Sequence, residues 1–100
     1  MWAQIIKSRA KPGKEAEIRN LPQEFQAQHP DSAMPMTEIF TCTNQNDPSE
    51  YYTFVVFESE AKARENEGTS GQMARVKRMR ELYEGEPEFV DLNVEYHRSR

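Results

Sequence analysis

The chain has a single cysteine, Cys42, among its 100 residues, so no internal disulfide can staple it. It has two histidines, His29 and His97, and no paired-histidine spacing, Cys-x-x-Cys, glycine-rich phosphate loop or nucleophile elbow. No apolar run approaches the ~20 residues that span a bilayer. The N-terminal Met1-Trp2-Ala3-Gln4-Ile5-Ile6-Lys7 lacks the charged and long apolar regions of a secretion signal. There is no basic field either, because the formal net charge is -4. That excludes a chain recruited by phosphate backbones. Only four glycines are present, and no repeat or low-complexity tract. The expectations are a cytoplasmic protein, one domain over 1–100, with no nucleic acid, no membrane, no metal and no cofactor.

Hydrophobic residues make up 36% of the chain. A domain of this length buries only about two-thirds of its unfolded surface. The core is therefore thin, and some apolar surface is expected to be covered in an oligomer. The 10% aromatic content and clear patterning still argue against disorder.

The order of local signals carries most of the information. Trp2–Arg9 alternates as a strand, with Trp2, Gln4, Ile6 and Ser8 on one face and Ala3, Ile5, Lys7 and Arg9 on the other. Lys11-Pro12-Gly13-Lys14 follows, with Pro12 expected in the first turn of a helix. Ile18, Leu21 and Phe25 recur at helical spacing, and Pro22 should kink or restart that helix near Leu21. Beyond Gln28, His29-Pro30-Asp31 opens a loop that runs to Pro35.

Thr37–Thr43 and Tyr51–Glu58 read as a hairpin joined by the polar turn Asn44–Ser49. The second of these, Tyr51-Tyr52-Thr53-Phe54-Val55-Val56-Phe57, is apolar on both faces and should be central. Ser59 can cap a short helix through Ala61, Ala63 and Arg64, with Glu60 and Arg64 paired. Gly68-Thr69-Ser70-Gly71 breaks it, and Ser70 can cap a second segment. There Met73, Val76, Met79 and Tyr83, with Leu82 beside them, form an apolar stripe that Gly85 and Pro87 end. The last strand, Phe89–Tyr96, sets Val90, Leu92, Val94 and Tyr96 against Phe89, Asp91, Asn93 and Glu95.

The order is β-α-β-β-α-β. It predicts an α+β, ferredoxin-like fold: a four-stranded antiparallel sheet with helices on one face. The other face then needs a cover. Two sheets packed face to face, a homodimer in dimeric α/β-barrel form, would supply it.

Arg75, Lys77, Arg78 and Arg80 are explained as a solvated helix face, offset by Glu81 and Glu84 at i,i+4. A surface place is expected for His29 and His97, and a core or interface place for Cys42. Asp91, Asn93 and Glu95 fit a solvated or interface face. The Met73 and Met79 stripe fits core. Trp2, Tyr51 and Tyr52 fit either of two roles: plain packing of a thin core and interface, or the wall of a ligand pocket.

The chain resembles the antibiotic biosynthesis monooxygenase-like family of dimeric α/β-barrel proteins. The resemblance rests on Lys11-Pro12-Gly13-Lys14 after the first strand, Asp47-Pro48 before Tyr51-Tyr52-Thr53-Phe54-Val55-Val56-Phe57-Glu58-Ser59, the Ala61/Ala63 helix, and Gly85-Glu86-Pro87. It covers nearly the whole chain. It implies a small cofactor-independent monooxygenase acting on an aromatic substrate, in a pocket between sheet and helices built from Asn, Trp, Tyr and Arg. By chemical type, Tyr52, Asn66 and Arg75 are then the expected catalytic residues, and Trp2 and Tyr51 the expected substrate-binding ones.

The family's heme-degrading branch typically uses a first-strand Asn, a Trp in the short helix and a His ligand in the later helix. Here the first strand has no Asn, Asn66 falls near the Trp position, and the helix around Val76 has no His. The alternative function is a non-catalytic dimeric module that binds a small ligand or a partner protein, since no acid, base, nucleophile or metal site is legible.

Overall fold

The computed structural model describes residues 1–28, 36–67 and 70–100, with the side chains of 25, 26, 28 and 70–72 outside that description. His29, the loop through Pro35, the break at 68–69, and the side chains of Phe25 and Ser70 therefore lie outside the described residues. The elements are β1 (Trp2–Ala10), α1 (Glu15–Gln28), β2 (Met36–Asn44), β3 (Asp47–Phe57), α2 (Glu60–Glu67), α3 (Ser70–Leu82) and β4 (Tyr83–Asn93). All strand pairs are antiparallel, and the sheet order is β2-β3-β1-β4. This is the ferredoxin-like arrangement, with the second helical region split in two. Both β1 and β3 are central. Among the described residues, no helix is long and apolar enough to cross a membrane.

Residues 11–14 form a turn rather than the start of a helix. The Lys14 N–H donates to the Lys11 carbonyl at 3.1 Å, and Gly13 has φ +81°. Pro followed by a positive-φ glycine is the signature of a type II turn, which fixes Pro12 outside α1. The first helical bond runs from the Ile18 N–H to the Lys14 carbonyl at 3.0 Å. The helix then continues through Pro22 without the expected restart. Its inner residues Ile18 and Leu21 are buried and hold it on the sheet. Ser59 caps α2 as expected: its Oγ accepts from the Lys62 N–H at 3.2 Å.

The hairpin turn is tighter than the sequence implied. Asn44 pairs with Asp47 across a two-residue turn, and Asn44 Oδ1 accepts from the Asn46 N–H at 2.9 Å. Short polar side chains that bond their own backbone close such turns.

The end of the chain departs most from expectation. Gly85 and Pro87 do not end a helix; they lie inside β4, which starts at Tyr83. Glu84 pairs with Arg9 and Glu88 with Lys7, so residues 85–87 face Ser8 alone across a bulge. Gly85 takes φ +64° there, and Pro87 is tolerated because β4 is an edge strand. The strand stops at Asn93, not Tyr96, because Asn93 already faces Trp2 at the start of β1. Glu84 is therefore not on a helix and cannot make an i,i+4 pair with Arg80. Arg80 reaches Glu86 at 4.0 Å instead, and Arg78 pairs with Glu81 at 2.8 Å and with Glu24 of α1 at 3.2 Å.

One sheet face carries the helices. Ala10 and Tyr51 of the sheet and Tyr83 pack with Ile18, Leu21 and Leu82, while Trp2, Val55 and Phe57 pack with Ala63. The end of α3 is pinned. The Lys11 N–H donates to the Leu82 carbonyl at 2.9 Å, and Lys11 Nζ reaches the Arg80 carbonyl at 3.3 Å, where a cation suits the helix dipole. Met73 of the same helix is exposed, contrary to its expected place in the core stripe. The opposite sheet face carries a row of cross-strand partners, Phe40, Phe54, Ile5 and Val90, one from each strand. Cys42 lies on this face beside Tyr52, exposed and so not in the core.

Candidate functional site

A cleft of about 430 Å³ opens between α2, α3 and the Trp2 end of the sheet. Alternation along β1 turns Trp2, Gln4 and Ile6 towards it. Register brings Asp91 of β4 opposite Gln4, and Val55 of β3 on the other side. Helix α2 contributes Ala63, Arg64, Asn66 and Glu67. The wall is apolar where Trp2 and Phe57 pack with ring centres 6.0 Å apart.

The polar part is a network around Asp91. Gln4 Nε2 donates to Asp91 Oδ1 at 2.8 Å, and Arg64 Nη2 donates to Oδ2 at 3.0 Å. These bonds hold the carboxyl below the usual carboxylate range, with Gln4 the larger cause. Arg64 also donates to Glu67 at 2.7 Å and to Glu60 at 3.2 Å, and its guanidinium sits 5.3 Å from the Trp2 ring centre. The carboxylates push its own pKa up, Glu67 foremost. Asn66 is the buried polar residue among those described.

The structure brings Trp2 and Asn66 together in the cleft. Arg75 lines an adjoining cavity of about 130 Å³, which shares Ile6, Met36 and Val55 with the cleft. Burial lowers its pKa. Tyr51 lies on the helix side but away from the cleft. It packs edge-on against Tyr83 at 5.8 Å and borders a groove beside Arg19, Pro22 and Thr43.

Tyr52 does not enter the space between sheet and helices. The two-residue period of β3 puts it on the opposite face, beside Cys42 and Lys7, with its hydroxyl donating to Glu50. That bond pushes its phenol pKa up. Gln4, Arg64, Glu67 and Asp91 are not among the expected site residues; Asp91 is expected on a solvated or interface face and Arg64 in a helix pair with Glu60. Gln4 shares a face with Trp2 by simple alternation, and only the β1–β4 register adds Asp91. Among the described residues, no group of three or more His, Cys, Asp or Glu side chains is placed to hold a metal ion.

No protein-family model matches the sequence, and no curated protein matches it significantly. Solved structures do match. One antibiotic biosynthesis monooxygenase superposes with a TM-score of 0.72 at 14% identity, covering 94% of this chain and 98% of its own. A protein from Deinococcus radiodurans, provisionally named an antibiotic biosynthesis monooxygenase, gives 0.77 at 8% identity, covering 100% and 98%. A Nitrosomonas europaea protein of unknown function gives 0.75 at 18% identity, covering 99% and 93%. The fold is that of the antibiotic biosynthesis monooxygenases. Coverage near the full length of both chains means that the match is to the whole fold and not to one part of it.

Proposed function

We propose that this chain is a homodimeric small-molecule enzyme of the antibiotic biosynthesis monooxygenase type, oxidising an electron-rich aromatic substrate in the Trp2 cleft without a resident cofactor. The observation that carries this reading is the cleft itself. A gap of about 430 Å³ beside a buried Trp and a buried Asn is within the size range of small-molecule sites. The monooxygenase fold supports the reaction class.

In such a reaction the substrate supplies the electrons. In an anthrone-like substrate, for example, the CH₂ group between two aryl rings loses two hydrogens and gains one oxygen atom from O₂; the other oxygen leaves as water. The protein contributes orientation, exclusion of water and hydrogen bonds to the developing charge. Trp2 offers a flat wall for the ring. Asn66 offers an amide to a phenolic oxygen, and Arg75 a positive charge behind Val55. Asp91, kept ionised by Gln4 and Arg64, accepts a substrate hydroxyl proton in a hydrogen bond. Tyr51 supports the core beneath. Tyr52 belongs to the sheet face that a partner copy would cover.

Oxygen uptake with anthrone-like and quinol substrates tests this. Turnover that falls with Asn66→Ala is expected; no uptake and no binding by any member of the panel would overturn it. One observation favours the second reading, a non-catalytic ligand-binding dimer. Asp91 of the cleft is held at low basicity and its arginine is already shared by three carboxylates. Trp2 quenching by the same compounds without oxygen uptake would select that reading.

A further inference from the structure

Ile6, at the middle of β1, borders three separate cavities: the cleft of about 430 Å³, the Arg75 cavity of about 130 Å³ and a third of about 90 Å³. The side chains shared between the first two, Ile6, Met36 and Val55, are all apolar. The cleft is the more polar of the two, the Arg75 cavity having only Thr41, Thr53, Arg75 and the Tyr83 phenol among its polar lining. Gln4, Arg64, Asn66, Glu67 and Asp91 line the cleft and none lines the Arg75 cavity, whose wall includes Ile18, Leu21, Ile39 and Met79. Arg75, its one charged residue among those described, already has an interaction of its own. The space under α3 is thus more polar on the cleft side and more apolar on the Arg75 side, and Ile6 lines both.

We propose that the site takes an elongated ligand, a phenol-type aromatic head against Trp2 and Asp91 with an alkyl tail passing Ile6 into the Arg75 cavity, and that Ile6 sets the accepted tail length. This rests on the cleft being a small-molecule site and adds the ligand's shape and polarity. The head carries a donor, not an anion. The described cleft lining holds two carboxylates against one guanidinium, and Arg64 is committed to carboxylates of this chain. Each Asp91 oxygen has spare acceptor capacity after its bond to Gln4 or Arg64. The tail is short. A cavity of about 130 Å³ is near the ~150 Å³ that accepts a benzene ring, so it fits a chain of a few carbons.

Trp2 is the only tryptophan and lies in the cleft, so its emission reports binding there directly. The probes are 4-alkylphenols from phenol to 4-octylphenol, with the 4-alkylbenzoates as anionic controls. Affinity should rise about fourfold per methylene over the first few carbons and then level off. Ile6→Phe should abolish that rise, and Ile6→Ala should carry the rise to longer chains. Circular dichroism confirms that both variants fold. A flat series in the wild type, or a series that Ile6→Phe leaves unchanged, overturns the tail assignment while the cleft stands. Benzoates binding more tightly than phenols overturn the head assignment. Silence of Trp2 towards both series overturns the small-molecule reading of the cleft, and this inference with it.

Discussion

Arg64 lies across the Trp2 ring, its guanidinium 5.3 Å from the ring centre, while the same group reaches Asp91 on β4 at 3.0 Å. One side chain therefore ties α2 to the far strand of the sheet and covers the only tryptophan. The two contacts use different physics. The ring attracts the cation through its quadrupole. The carboxylate pairs with it through charge-assisted hydrogen bonds that, at this exposure, add little to stability.

Replacing Arg64 by alanine should uncover Trp2, which is now buried. The expected result is a red-shifted emission maximum and easier acrylamide quenching, with little change in the urea midpoint. Emission identical to wild type would show that the guanidinium does not cover the ring in solution.

The core makes a sharper stability prediction. Leu82 is fully buried where α3 ends, packed in one cluster with Ile18, Tyr51 and Tyr83. Leu82→Ala removes buried methyl groups and leaves a cavity, so urea unfolding should show a loss of about 2–5 kcal/mol. Met73→Ala, at an exposed position of the same helix, should stay within about 0.5 kcal/mol of wild type.

These two methionine-and-leucine positions also show what was legible beforehand. Both sit on the apolar stripe of α3, and helical period alone cannot tell which end of the stripe meets the sheet. That is set by Lys11, which fastens the Leu82 end. Strand order and the ferredoxin-like topology were readable because alternation and turn residues are local signals. The start of β4 was not, because Gly85 and Pro87 signal a helix end and a bulge equally well. The lining of the candidate cleft was partly readable for the same reason. Trp2 and Asn66 were picked out by type, but Asp91 joins them only through the register of β1 on β4, and Tyr52 leaves them through the two-residue period of β3.

Tyr83 gives the pH prediction. Burial, with a smaller contribution from Tyr51, pushes its phenol up to about 12 from an ordinary value near 10. A raised folded-state pKa means that Tyr83's contribution is fully present below about pH 10. It is lost as pH rises towards 12, because the unfolded chain ionises first. The full loss amounts to about 2–3 kcal/mol. Urea midpoints measured from pH 9 to 12 should therefore fall more steeply for wild type than for Tyr83→Phe. Parallel curves would show that the phenol is not shielded from water.

Phe40 tests the assembly. It is 51% exposed, on the sheet face away from the helices, and its ring centre lies 6.2 Å from that of Phe54. Phe54 pairs with Ile5, and Ile5 with Val90, so an apolar row crosses the whole sheet. Leaving such a row in water costs free energy that pairing two sheets would recover, and stable interfaces of this kind bury about 1,200–2,000 Å² in total. Size-exclusion chromatography with light scattering should give a dimer for the wild type at micromolar concentration. Phe40→Asp places a charge in that interface from each copy, and should yield a folded monomer. Met73→Asp, equally polar but at an exposed position of α3, should remain a dimer. A wild-type monomer, or a Phe40→Asp dimer, would show that this face is not where two copies meet.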